Sequence, residues 1–167
     1  MTSPPRSTPD FRLRCAKSED YRFALALYLD GSRHLLERIG RWDEKRLVSR
    51  FRRGFKPSES KIIESGDLAV GWIQIVEGKH RLHLRQIHLV PEFRGLGIGT
   101  LLIEDLLAQA KSLDKAVTLD VMHGNPARSL YERLGFERTG ADLDKIHMLW
   151  RPEPSHESGG SLQRRAG

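Results

Sequence analysis

The chain has 167 residues, a single cysteine and a formal net charge of +6, which is enough length for one domain with a real core. No apolar run approaches the roughly 18 residues of a membrane-spanning helix, and the N-terminus lacks the apolar centre of a secretion signal. With Cys15 alone, no disulfide framework can form within the chain; a reducing, cytoplasmic setting is the expectation, with Cys15 a buried strand residue.

Met1 to Asp10, rich in Pro, Ser and Thr, reads as a loose tail, and Pro152 to Gly167 reads the same way. One folded domain is therefore expected over residues 11–151. Both tails are charge-neutral, so the positive charge belongs to the body. Phe11 to Val90 carry 17 basic residues against 10 acidic ones, while Pro91 to Arg151 carry 8 and 9, which puts the excess in the first half.

Phe11 to Cys15 alternates like a first strand. Ser18 reads as the cap of a helix carrying Phe23, Leu25, Leu27 and Tyr28, and a second helix is predicted from Asp43 to Arg53. Three strands follow at Lys61 to Glu64, Leu68 to Val76 and Arg81 to Val90, with turns at Ser65-Gly66-Asp67 and Glu77-Gly78-Lys79. A third helix is predicted from Gly99 to about Leu113 and a strand from Ala116 to Val121. Asn125 reads as the cap of a fourth helix, with Pro126 in its first turn and Gly135 at its end. Phe136 to Arg138 and Lys145 to Trp150 read as the last strands.

The segment Arg94-Gly95-Leu96-Gly97-Ile98-Gly99-Thr100 lies between the strand ending at Pro91 and the third helix. Glycines let successive N–H groups converge, and a helix N-terminus adds partial positive charge, so the arrangement suits a phosphate; Arg94 can add a bidentate cationic contact. A dinucleotide fingerprint starting at Gly95 would need its third glycine where Thr100 stands, and although Asp120 lies about twenty residues on, as the ribose acid would, too little chain follows for such a domain. A P-loop would need a lysine that is absent here.

Together, Leu89-Val90-Pro91-Glu92-Phe93-Arg94-Gly95-Leu96-Gly97-Ile98-Gly99, Val117 to Val121, and Asn125 to Phe136 with its Leu130-Tyr131 and Leu134-Gly135-Phe136 resemble the GNAT superfamily of acetyl-CoA-dependent N-acetyltransferases, over about residues 80 to 151. Arg94-x-x-Gly97-x-Gly99 matches its pyrophosphate signature. The resemblance implies an α/β (α+β) fold: a mixed, mostly antiparallel sheet of six to seven strands flanked by about four helices. It also implies transfer of an acetyl group from acetyl-CoA to a primary amine of a small molecule or peptide, directly and in a ternary complex.

By the same resemblance, Arg94, Gly95, Leu96, Gly97, Ile98, Gly99 and Thr100 hold the cofactor's phosphates. Leu89 and Val90 offer unpaired backbone to its pantetheine arm where the fourth and fifth strands splay. Tyr131 matches the tyrosine that directs a proton at the sulfur, with packing beside Leu130 and Leu134 as its alternative. Asn125 either contacts the cofactor or only caps its helix. The family often places a glutamate at positions matching His83 or Arg85. No carboxylate stands from Arg81 to His88, so His83 is the candidate base beside an ordinary strand histidine, and water can serve in some members.

Histidines 80, 83, 88 and 123 do not form a metal set, because strict alternation sends His80 and His83, and likewise His83 and His88, to opposite faces; no metal is expected. The basic run Arg41, Lys45, Arg46, Arg50, Arg52, Arg53 and Lys56 raises nucleic-acid association as an alternative, but no groove-reading motif accompanies it. It also leaves an anionic acceptor open. A catalytically silent GNAT-like module is the other alternative. No membrane partner is expected, and assembly is left open between monomer and homodimer.

Overall fold

The structure, a computed structural model, describes residues 7–153. The two expected tails therefore fall mainly outside the described residues. Eleven regular elements follow in the expected order: β1 (Arg12–Cys15), α1 (Tyr21–Arg38), α2 (Glu44–Gly54), β2 (Ser60–Ser65), β3 (Leu68–Glu77), β4 (Arg81–Leu89), α3 (Ile98–Ser112), β5 (Ala116–Met122), α4 (Ala127–Arg133), β6 (Glu137–Ala141) and β7 (Lys145–Trp150). The strands form one sheet in the order β1-β2-β3-β4-β5-β7-β6. Only the β4–β5 pair is parallel; the other pairs are antiparallel. No helix among the described residues is long and apolar enough to cross a membrane.

Each face of the sheet buries its own layer of helices. Ile62 and Ile63 are neighbours on β2 and both fully buried, one on each face, as strand alternation requires. On one side Ile98, Leu102, Ile103, Leu106 and Ala110 of α3 pack against Leu82, Leu84, Val117 and Leu119. That apolar stripe at three- and four-residue spacing makes α3 a helix and fixes its buried face. On the other side Ala24, Leu27, Tyr28 and Leu36 of α1 and Leu47 and Phe51 of α2 cover Trp72. The rings of Phe51 and Phe55 stack at 5.4 Å, and both meet Trp72 edge-on.

Two local expectations need correction. Ser18 does not cap α1: it starts a single 3-10 turn, and Asp20 closes that turn by accepting from the Lys17 N–H at 2.7 Å. Arg14 then grips Asp20 with both guanidinium nitrogens at 2.8 Å, so the start of α1 is pinned to β1. Cys15 is exposed, because β1 is the outer strand of the sheet and only Arg14 among its four residues is partly covered. The cap of α2 is Asp43, whose side chain accepts from the Arg46 N–H at 3.0 Å.

Gly71 sits opposite Leu89 in the β3–β4 ladder. A Cβ there would run into the His88 carbonyl and would lie 2.7 Å from Leu89 Cδ2, so the end of β4 approaches β3 only because Gly71 has no side chain. Gly71→Ala is expected to cost about 1–3 kcal/mol by overpacking, read as a lower urea midpoint with an unchanged slope. A midpoint within error of the parent would show that β4 has room to move.

Candidate active site

β4 and β5 begin side by side and then part. They pair over four positions only, from Arg81 opposite Ala116 to Leu84 opposite Leu119, although β4 runs on to Leu89 and β5 to Met122. The cause is a bulge: on β3, Ile75 faces Leu84 and its neighbour Gln74 faces Gln86, so Arg85 has no partner. An extra residue of this kind bends a strand and increases its twist, which swings the second half of β4 away from β5.

The same bulge overturns the alternation argument for the histidines. Leu82 and Leu84 face the α3 side, but beyond Arg85 it is Ile87 and Leu89 that do so. His83 and His88 therefore share the α1–α2 side, and both line one cavity. That cavity measures about 340 Å³ and opens where the two strands diverge, under α1 and α2; its size suits a small molecule or the end of a chain. Among the described residues no group of three or more His, Cys, Asp or Glu is placed to hold a metal.

Three of the sequence candidates meet in this cavity: Tyr131, His83 and Asn125. Tyr131 projects from α4 and is 6% exposed; its ring meets Phe136 edge-on at 5.8 Å. Burial alone pushes its hydroxyl up to about 12, so the group carries its proton at neutral pH. The residue thus packs through its ring and keeps its hydroxyl protonated. Asn125 Oδ1 accepts from the Ala127 N–H at 2.9 Å, which is the capping role, while its side chain still reaches the cavity wall. His83 Nδ1 lies 2.9 Å from Thr118 Oγ1. Burial holds its imidazole below the ordinary value, partly opposed by Asp120, so it is neutral and able to accept a proton at pH 7.

The sequence reading missed Asp120 and His88 as residues of this wall. Asp120 lines the cavity from β5 and is held by His147 Nδ1 at 2.7 Å; a lone carboxylate alternating with Val117, Leu119 and Val121 was its signal. His88 stacks on Trp72 at 5.7 Å with a 17° interplanar angle. An imidazole protonated at Nε2 matches its 2.9 Å approach to Gln86 Oε1. Burial, with a smaller contribution from the Arg94 charge, pulls its pKa down to about 4.

This gives a stability prediction with a defined sign. The unfolded chain takes up a proton at His88 near pH 6.5, while the folded chain resists until about pH 4. Between those values the unfolded state binds more protons, so stability falls as pH falls. The loss should reach on the order of 2 kcal/mol, discounted for the ring edge left on the cavity, and His88→Phe should flatten it. Urea midpoints measured from pH 7 to 4 that are equally steep in the variant would remove His88 as the source. The carboxylates held low by arginine, Asp20 and Glu64, add their own loss only toward the acid end of this window and below it.

Beyond the cavity, β4 leads into the glycine loop. Pro91–Phe93 make a 3-10 turn, Gly95 and Gly97 take φ of +70° and +87°, and α3 starts at Ile98 with Gly97 as its cap residue. Among the described residues no backbone or side-chain acceptor meets the N–H groups from Gly95 to Thr100; the first helix bond of the turn is Leu101 N–H to Gly97 C=O. Six successive free donors at a helix N-terminus, with no Cβ on three of them, fit a diphosphate. The side chain of Ile98 is fully buried, so only its backbone is available there.

Three loop-edge expectations change. Val90 has no unpaired backbone: its N–H donates to Val70 C=O at 2.8 Å and its C=O accepts from Phe93. The Leu89 carbonyl is also taken, by Arg94 Nε at 2.9 Å. Arg94 itself points to Asp30 of α1, with NH2 at 2.7 Å from Oδ2, so here it ties the loop to α1 rather than facing the cradle. The open strand edge lies between Arg85–His88 and Asp120–Met122 instead, where the ladder has ended.

Comparison with known proteins agrees with this architecture. The sequence profile of the acetyltransferase (GNAT) family matches residues 16–136. An uncharacterised N-acetyltransferase of Methanocaldococcus jannaschii is 30% identical over 151 residues, covering 84% of this chain and 67% of that protein. The [ribosomal protein bS18]-alanine N-acetyltransferase of Haemophilus influenzae is 36% identical over 73 residues, 43% of this chain and 47% of its own length. Among solved structures, the PaiA N-acetyltransferase of Thermoplasma acidophilum in complex with coenzyme A superposes with a TM-score of 0.66 at 17% identity, covering 85% of this chain and 99% of that one. A Pyrococcus horikoshii protein superposes at 0.68 with 20% identity, over 87% and 100%. With its seven-stranded, mostly antiparallel sheet and four helices, the chain belongs to the GNAT acetyltransferase family.

Proposed function

We propose that the protein is an acetyl-CoA-dependent N-acetyltransferase that acylates a primary amine by direct transfer, with both substrates bound at once. The observation that carries this is the parting of β4 and β5, which opens a cavity holding Tyr131, His83 and Asp120, while β4 runs on into the N–H cradle at Gly95–Thr100. Bound acetyl-CoA would supply a thioester whose acyl carbon the amine attacks.

The chain's own groups divide the remaining work. The cradle holds a diphosphate through backbone donors and the α3 dipole. His83 and Asp120 offer the sites to which the incoming amine yields its extra proton, leaving a neutral nucleophile. As the C–N bond forms and the C–S bond breaks, Tyr131 gives its hydroxyl proton to the departing sulfur and recovers one afterwards. Its hydroxyl suits that task because burial keeps it protonated. A cytoplasmic setting is part of the same reading.

The test is calorimetric titration with acetyl-CoA, followed by thiol release on adding a panel of amines. Saturable binding and amine-dependent release are the expected results. Binding without turnover of any amine would point to a silent module, and neither would sink the reading.

A further inference from the structure

Among the described residues three cations that line the cavity have no acidic partner, Arg50, Arg85 and, on the β7 side, Lys145, and the two guanidinium groups stand together. Arg50 of α2 and Arg85 at the β4 bulge both line it, and among the described residues no carboxylate lies within 4 Å of either guanidinium. They are also neighbours. Arg50 and Gly54 are four residues apart on α2, hence on one face of the helix, and Arg85 NH2 lies 3.1 Å from where a side chain on Gly54 would begin. Arg50 is exposed on its outer side and lies beside the Tyr28 hydroxyl at the cavity rim.

Glu59, which shares Gln74 Nε2 with the Gly54 carbonyl, is already engaged: it takes Lys56 at 3.5 Å and Gln74 Nε2 at 3.2 Å. Across the cavity Asp144 pairs with Arg41 at 3.0 Å and Asp120 with His147 at 2.7 Å, and Asp120 is the carboxylate whose charge reaches His83. The space is therefore uneven, with two guanidinium groups at the α2 wall and, at the β5–β7 wall, Lys145 beside the His147-paired Asp120. A bare ammonium would be repelled from the first wall. An acceptor with an anion at its far end would satisfy both.

Resting on the acetyl-transfer reading, we propose that the acceptor is a small amine carrying an oxyanion, carboxylate or phosphate, and that Arg50 and Arg85 hold that oxyanion while the amine lies toward Asp120 and His83. Guanidinium groups suit either oxyanion because each can present two parallel N–H donors. The pair thus sets acceptor specificity, through binding rather than through the bond-making step.

The experiment compares amines built on one two-carbon unit: glycine, O-phosphoethanolamine, ethylamine and ethylenediamine. Acetyl-CoA binding is first verified by calorimetry; its failure would sink the transfer reading and this assignment with it. With acetyl-CoA bound, glycine or O-phosphoethanolamine should exceed ethylamine by at least about tenfold in kcat/KM, the worth of a charge-assisted contact. Which of the two leads identifies the oxyanion. In Arg85→Gln and Arg50→Gln the KM for the anionic acceptor should rise at least about tenfold, while ethylamine's kinetics and acetyl-CoA affinity stay as they were. Equal or better turnover of ethylamine or the diamine, no turnover of any of the four, or an equal loss for all acceptors in the variants would each overturn the proposal.

Discussion

Tyr131→Phe should lower kcat by at least about tenfold and leave acetyl-CoA affinity and folding nearly unchanged. A positioned general acid contributes on the order of 10²–10⁴-fold, and water reaching the cavity would recover part of that. The variant keeps the ring, so the 5.8 Å edge-on contact with Phe136 survives, as does the buried position. No hydrogen bond from this hydroxyl to another described residue is lost with it. A purely structural tyrosine would thus change neither rate nor stability, which makes the two roles separable. Single-turnover rates at saturating acetyl-CoA and amine are the proper readout, because they report transfer rather than release. A wild-type transfer rate in Tyr131→Phe would end the assignment of the acid.

Much of this architecture was legible because the relevant signals are local. The stripe through Leu102, Ile103, Leu106 and Ala110 and the Asn125-Pro126 entry to α4 are written within a few residues, and those elements stand within one or two residues of where the signals put them. The glycine loop was legible for the same reason. What escaped depends on partners distant in sequence. Arg94 meets Asp30 across 64 positions, and nothing in either segment announces the pairing. The bulge at Arg85 did leave a trace: the apolar positions run Leu82, Leu84, then Ile87, Leu89, a slip of phase by one residue. Treating β4 as strictly alternating hid it, and with it the shared face of His83 and His88. Asp120 was obscured differently, since a carboxylate on a strand gains meaning only once β4 has moved away from it.

Gly97→Val should abolish acetyl-CoA binding while the domain stays folded. Gly97 holds φ at +87°, where an L side chain costs about 1–2 kcal/mol and a β-branched one more. A Cβ would also meet Thr8 Oγ1 at 2.7 Å and would stand among the six free N–H groups of the cradle. That strain is small against a typical 5–15 kcal/mol of domain stability, and the loop lies outside both buried clusters apart from Ile98. Losing even two charge-assisted contacts to a diphosphate, at about 1.5–3 kcal/mol each, weakens binding by at least about 100-fold. Backbone strain alone needs a control, and Gly40 supplies one: its φ is +67° with nothing within 4 Å of an added Cβ, and it lies between α1 and α2, away from the cradle. Gly40→Val should therefore show a similar drop in urea midpoint with acetyl-CoA affinity intact. Calorimetry on both variants separates the effects, and a Gly97→Val protein that binds acetyl-CoA within a few-fold of the parent would place the diphosphate somewhere other than this loop.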